Sequence, residues 1–244
     1  MLNSLKHSIK EFIYRIVPPP PAVPANSVGT VYFGQAGEDA VIDFLFKGRK
    51  INNPSYLELG AYSPDKSNNT YKFYLRNSKG VVVEADPELI AKLKAKRPND
   101  TILNIGVGIS EEKEADFYVF NVKGLSTLNK EEAEYREKNG SYKIEKIIKV
   151  ELKSINAIIK ENFETYPLFL SIDIEGLDLA VLQTLDFNKY PIPVICAETC
   201  TYSENHIKPK DDLIFKFMES KGYMVYADTY INTFFVNKEW FFSE

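Results

Sequence analysis

The chain of 244 residues contains only two cysteines, Cys196 and Cys200, and two histidines, His7 and His206. So few ligands build neither a disulfide framework nor a zinc cage, and both thiols are expected to be reduced. No run of about 20 apolar residues occurs, and the N-terminus shows no apolar stretch followed by a small-residue cleavage site. A soluble cytoplasmic protein is the default expectation. An excess of one charge is also lacking, since 30 basic residues face 34 acidic ones for a formal −4. With no basic run long enough to follow a phosphate backbone, nucleic acid is excluded as an expected partner. The pyrophosphate-binding pattern G-x-G-x-x-G is missing as well. What the chain does have is 44% hydrophobic residues, enough for one substantial α/β core.

Leu2, Leu5, Ile9, Phe12 and Ile16 recur every three or four residues, with Lys6, Lys10, Glu11 and Arg15 between them, which predicts an amphipathic helix. Pro18 to Pro21, with Pro24 close behind, end it and favour an extended linker. Residues 1–30 therefore read as helix and linker, and residues 31–244 as one catalytic domain. The helix is expected to fold onto its own domain or onto a second copy in a homo-oligomer. Weak attachment of residues 2–17 to a membrane surface is the sharper alternative.

From Val31 onward, apolar runs alternate with helical patterns. The runs are Ser55–Gly60, Gly80–Ala85, Thr101–Ile105, Leu168–Ile174 and Pro193–Glu198; the helical patterns cover Glu38–Phe46, Ser67–Leu75, Pro87–Lys96 and Asp178–Leu185. This alternation predicts a mostly parallel sheet with helices on both faces. Tyr223–Ala227 and Thr233–Val236 are too close for a parallel crossover and predict an antiparallel edge hairpin. Residues 108–164 break the rhythm: Ala115–Asn121 and Lys146–Leu152 read as an added strand pair around a charged segment, Asn129–Asn139, placed to cover a site.

In a doubly wound sheet the ligand lies beyond the carboxyl ends of the strands. The first run ends Glu58-Leu-Gly60-Ala61-Tyr-Ser, where Gly60 permits a tight turn and a carboxylate at 58 suits an ammonium better than a pyrophosphate. Glu84 stands 24 residues beyond Gly60, at the end of the next run, where it can accept hydrogen bonds from ribose hydroxyls. Asn104, at the end of the third run, is a candidate for reading an adenine edge. The fourth run exits through Asp173-Ile-Glu175-Gly176, whose carboxylates alternate onto one side of an extended chain. The fifth ends at Glu198, followed by Tyr202, Glu204, Asn205 and His206. Asp173 and Glu198, from neighbouring strands and with His206 nearby, can deprotonate a hydroxyl or hold a hard divalent ion such as Mg²⁺. Tyr202, Tyr226, Tyr230, Asp228 and Asn232 are candidates for a sugar-binding face on and near the hairpin.

Together these segments resemble the FkbM family of methyltransferases, from about Gly34 to Trp240. The resemblance rests on Gly34-Gln35-Ala-Gly37-Glu38-Asp39, the Glu58–Tyr62 turn, Ser67-Asn68-Asn69-Thr70, Glu84-Ala-Asp-Pro87, Ser126-Thr127, Ile172-Asp173-Ile-Glu175-Gly176 and Glu198. It implies a class I methyltransferase, with a Rossmann-like seven-stranded sheet, using S-adenosyl-L-methionine to methylate a hydroxyl of a sugar or glycan precursor. The implied cofactor site comprises Gln35, Asp39, Glu58, Gly60, Ala61, Ser67, Asn68, Thr70, Glu84, Asn104 and Asp173. Asp173, Glu198 and His206 are the candidate catalytic groups, with a metal at Asp173 and Glu198 left open. Two rivals are weighed: an NAD-dependent sugar-modifying enzyme and a methyltransferase-like assembly protein without catalysis. The missing glycine pattern counts against the first; the retained Glu58, Gly60, Glu84 and Asp173 count against the second.

Overall fold

A computed structural model describes residues 31–200 and 210–243. The helix and linker expected over residues 1–30 lie outside the described residues, as do Tyr202, Glu204, Asn205 and His206. In chain order the elements are α1 (Glu38–Gly48), β1 (Tyr56–Leu59), α2 (Tyr71–Tyr74), β2 (Gly80–Val83), α3 (Pro87–Lys96), β3 (Thr101–Leu103), β4 (Gly106–Gly108) and β5 (Glu114–Phe120). Then come α4 (Lys130–Asn139), β6 (Ile144–Ser154), α5 (Ile155–Asn162), β7 (Phe169–Ile172), α6 (Asp178–Thr184), β8 (Val194–Glu198), α7 (Asp212–Ser220), β9 (Tyr223–Asp228), β10 (Asn232–Asn237) and α8 (Lys238–Phe242).

Seven strands form one sheet in the order β3-β2-β1-β7-β8-β10-β9. The first five run parallel, and the β9–β10 hairpin closes the edge antiparallel to β8. The expected α/β architecture is therefore present, with the chain reversing strand order between β1 and β7. Strands buried on both faces explain the continuous apolar runs. Alternation sends Leu57, Leu59, Leu170 and Ile172 into one layer with Ile155, Ile158, Val181 and Met218. Tyr56, Val82, Phe169 and Val194 enter the other, with Ile42, Phe46, Phe73 and Leu93. Helix starts are encoded locally: the Asp86 side chain accepts from the Glu88 amide with Pro87 in the first turn, and Ser154 and Asp211 cap α5 and α7 in the same way.

Three sequence expectations shift. The helix expected over Ser67–Leu75 shortens to α2, because Ser67 has φ +49° and Asn68 Oδ1 accepts from the Thr70 and Tyr71 amides, holding a turn in place of the first helical bonds. The run at Thr101–Ile105 divides, since β3 ends at Leu103 and β4 joins a second sheet, β4-β6-β5. The run at Leu168–Ile174 ends at Ile172, because Glu175 and Gly176 have φ +58° and +99° and turn the chain out of the sheet. Within residues 108–164, β5 and β6 pair antiparallel from Glu114↔Glu151 to Phe120↔Ile144, and the charged segment between them becomes α4, capped by Asn129.

Candidate active site

The carboxyl ends of β1, β2, β7 and β8 open into a cavity of about 360 Å³, within the range of small-molecule sites. At its centre the exits of β1 and β7 touch. Asp173 N–H donates to Leu59 O at 3.1 Å, and a Cβ added to Gly60, whose φ is +81°, would fall 1.8 Å from Asp173 O. No other residue fits there without moving β7.

The chain then bends so that two backbone amides grip Glu84, from Tyr62 to Oε2 at 2.8 Å and from Asp86 to Oε1 at 2.7 Å. Glu84 is 7% exposed and lines the cavity. Burial pushes its carboxyl pKa up while the amides oppose that. Each held oxygen keeps a further lone pair for a ligand hydroxyl. Asn104 is exposed, donates to the carbonyls of Glu84 and Ala85, and is absent from the cavity lining. Its amide braces the loop that carries Glu84, and Ile105, Val107 and Phe117 form an apolar wall instead.

Glu58 reaches the cavity, but one of its oxygens is already engaged. Because it shares a strand face with Tyr56, it points into the layer under α3, where Oε2 accepts from Arg97 Nη1 at 2.8 Å and Thr70 Oγ1 at 2.8 Å. Burial raises its pKa and Arg97 opposes the rise. Arg97, fully buried, also donates to Asp100 through Nε at 2.7 Å and to Tyr56 and Thr70 through Nη2. An ammonium at Glu58 would share it with this guanidinium, since Oε2 belongs to a charge network under the cavity floor while the residue also lines the cavity. Asn68 and Thr70 belong to that network and do not line the cavity. Asp39 accepts from the Phe33 and Gly34 amides and is likewise absent from the lining. Gln35, Gly60, Ala61 and Ser67 do line it, joined by Asn69, which donates to Ser171 Oγ at 3.1 Å.

The acidic exits of β7 and β8 reach the same cavity. In the β7–β8 register Ile172 faces Ala197, so Asp173 and Glu198 follow as neighbours and both line the cavity. Asp173 Oδ1 is buried and has no hydrogen-bond partner. The left-handed turn swings Glu175 toward Arg136 of α4, with 2.8 Å between Oε2 and Nη1, so Glu175 does not continue an extended strand. Burial raises the pKa of Asp173, Glu175 and Glu198; repulsion from Glu38 and Glu58 adds to it at Asp173, from Asp173 and Asp178 at Glu175, and from Asp173, Glu175 and Asp178 at Glu198, while Arg136 counters it at all three. Buried acids need a counter-charge, and Arg136, 2% exposed, supplies one by pairing with Glu175. Sequence reading missed both buried arginines: the acids signalled that a counter-charge was needed, but nothing local marked Arg97 or Arg136 among the many exposed Lys and Glu of their helices.

The segment between β5 and β6 roofs the cavity with Val122–Leu128 and Tyr142. Thr127 Oγ1 donates to Glu175 O at 2.9 Å, Asn129 Nδ2 to Gly176 O at 3.1 Å, and Lys123 pairs with Glu88 at 3.0 Å. Among the described residues, the candidates for a sugar face on the hairpin make other contacts. Tyr226 packs on Phe241, Asn232 donates to Glu38, Asp228 pairs with Lys210, and none of the three lines the cavity. Tyr230 is exposed at the turn, and its neighbour Ile231 reaches the lining.

Among solved structures, a TehB-like SAM-dependent methyltransferase from Corynebacterium glutamicum is similar over 97% of this chain and 99% of its own, at 9% identity and TM-score 0.40. A proposed O-methyltransferase from Klebsiella pneumoniae matches over 94% and 96%, at 9% and 0.43. A proposed RNA methyltransferase from Pyrococcus horikoshii matches over 89% and 85%, at 12% and 0.41. At such scores these likenesses decide nothing about the site. No curated protein matches the sequence. The family comparison is decisive: the methyltransferase FkbM domain matches residues 58–225, from the carboxylate at the end of β1 through the acidic exits of β7 and β8 into β9. The chain belongs to the FkbM family of S-adenosylmethionine-dependent methyltransferases.

Proposed function

We propose that the protein transfers the methyl group of S-adenosyl-L-methionine to a hydroxyl of a sugar or glycan precursor, with Asp173 and Glu198 beside the reacting oxygen. One observation carries the reading: a single cavity holds Glu84 at one strand end and the Asp173–Glu198 pair at two others. The residues fit the cofactor. Glu84 would accept from the ribose hydroxyls, Ile105, Val107 and Phe117 would cover the adenine, and Asp173, whose buried Oδ1 has no hydrogen-bond partner, lines the same cavity. When bound, the cofactor supplies an electrophilic methyl on a sulfonium. The chain has to hold the acceptor in line and remove its proton. Glu198, whose raised pKa makes it a stronger base than a surface carboxylate, takes that proton in this reading.

Glu84→Ala is expected to weaken binding of the demethylated cofactor by about 1.5–3 kcal/mol, the range for hydrogen bonds to a charged group. Calorimetry reads this directly, and unchanged affinity removes Glu84 from the ribose role. Incubation with isotopically labelled cofactor and a panel of nucleotide sugars, read by mass spectrometry, tests the reaction itself. Tight NAD binding with no response to the sulfur cofactor would defeat the assignment.

The donor set does not fit a divalent ion well. Among the described residues no three His, Cys, Asp or Glu side chains come together as ligands, and Arg136 already stands against the acidic exit. Turnover is therefore expected to survive exhaustive chelation. Loss on chelation and recovery with Mg²⁺ or Mn²⁺ would restore the metal reading.

A further inference from the structure

Behind Glu198 lies a second cavity of about 210 Å³, which shares Glu198 and Cys200 with the first. Among the described residues its remaining charged lining consists of Glu132, Asp178, Arg136 and Asp211, whose side chain also caps α7 by accepting from the Leu213 amide. Four carboxylates thus face one guanidinium, and that guanidinium is already bound to Glu132 and Glu175. Lys210, close to Thr199 on the same wall, is held by Asp228. Asp178 is 6% exposed, and its Oδ1 is buried with no hydrogen-bond partner. A buried carboxylate oxygen without a donor costs free energy unless a ligand brings one. Backbone amides, those of Gly176 and Asp178 itself among them, oppose the effect of burial on this carboxyl, but among the described residues none donates to Oδ1.

We propose that this second cavity is the acceptor's subsite and that it takes a protonated amine, so that the methylated hydroxyl belongs to an amino-bearing acceptor such as an amino sugar. An alkylammonium offers three donors and one positive charge, which suits carboxylates spread along a wall better than it suits a compact shell. Glu198 forms the partition between the cavities. An acceptor anchored at Asp178 would extend past Glu198 to present a hydroxyl on the cofactor side, and the anchoring amine itself would remain unmethylated. The proposal rests on the methyl-transfer reading for the first cavity and adds the charge of the acceptor.

The test is binding of glucosamine against N-acetylglucosamine, by saturation-transfer NMR and calorimetry, to the full chain with the demethylated cofactor present. Glucosamine is expected to bind at least about tenfold more tightly, as a charge-assisted hydrogen bond to a buried carboxylate requires. Asp178→Asn is expected to bring the two sugars to within about twofold of each other, with cofactor affinity reporting whether the variant is folded. Equal binding of the two sugars to the wild-type chain, a preference for the neutral one, or no binding of glucosamine at all overturns the proposal, whatever the variant does. Failure of the cofactor itself to bind would instead strike the methyl-transfer reading.

Discussion

Glu198→Gln and Asp173→Asn should each lower turnover by roughly 10²–10⁴-fold, the usual contribution of a positioned general base, while leaving the fold intact. A single-turnover assay with labelled cofactor measures this, and full activity in both variants would place the catalytic centre on other strands. The same substitutions should separate stability from activity. Burial, then repulsion from Asp173, Glu175 and Asp178, keeps the Glu198 proton bound to higher pH in the folded chain than in the unfolded one. Stability linked to that proton is complete below the unfolded carboxylate range, about 4.3 for Glu, and falls as pH rises toward the folded value. Gln at 198 copies the protonated form, so the variant should gain stability relative to wild type as pH rises, in the interval where wild-type activity also rises. Urea titrations at a series of pH values show the sign. A variant that loses stability relative to wild type as the pH increases would contradict the buried-carboxylate picture. Such a trade between activity and stability is what a site built from like charges entails.

Arg97→Met should be the most damaging single change to the fold. The guanidinium is fully buried and holds Glu58, Asp100, Tyr56 and Thr70 together, with the rings of Tyr56 and Tyr74 5.5 and 5.6 Å from its carbon. Removing it leaves two buried carboxylates without their cation, a loss of about 3–5 kcal/mol by analogy with broken buried pairs. That is a large share of the ~5–15 kcal/mol that holds a typical domain folded. Denaturant unfolding gives the number. Pairing Arg97→Met with Glu58→Gln should recover part of it, because one of the stranded charges is then removed; a loss below about 1 kcal/mol for the single variant would mean that water reaches the network. Cofactor affinity should fall with stability, since the Gly60 turn stands directly on this layer.

The sequence by itself determined the architecture and the strand ends at which the candidate site residues stand. Buried parallel strands write themselves as unbroken apolar runs, Asp86-Pro87 and Ser154 mark helix starts through their own caps, and a ligand site beyond parallel strand ends makes Gly60, Glu84, Asp173 and Glu198 legible as the residues that follow each run. That β7 and β8 are neighbours was expected from the runs as well. Only the tertiary structure decided which charges meet. Glu58 reads as a ligand in sequence and becomes half of an ion pair because Arg97, 39 residues away, arrives under the same strand face. Glu175 leaves the strand because a left-handed turn points it at Arg136, from a helix in a different part of the chain. Asn104, Asn232 and Asp228 turn from ligands into braces for the same reason. Hydrophobic period and capping are local and leave a pattern in consecutive residues, whereas the partner of a buried charge is set by long-range packing and leaves none.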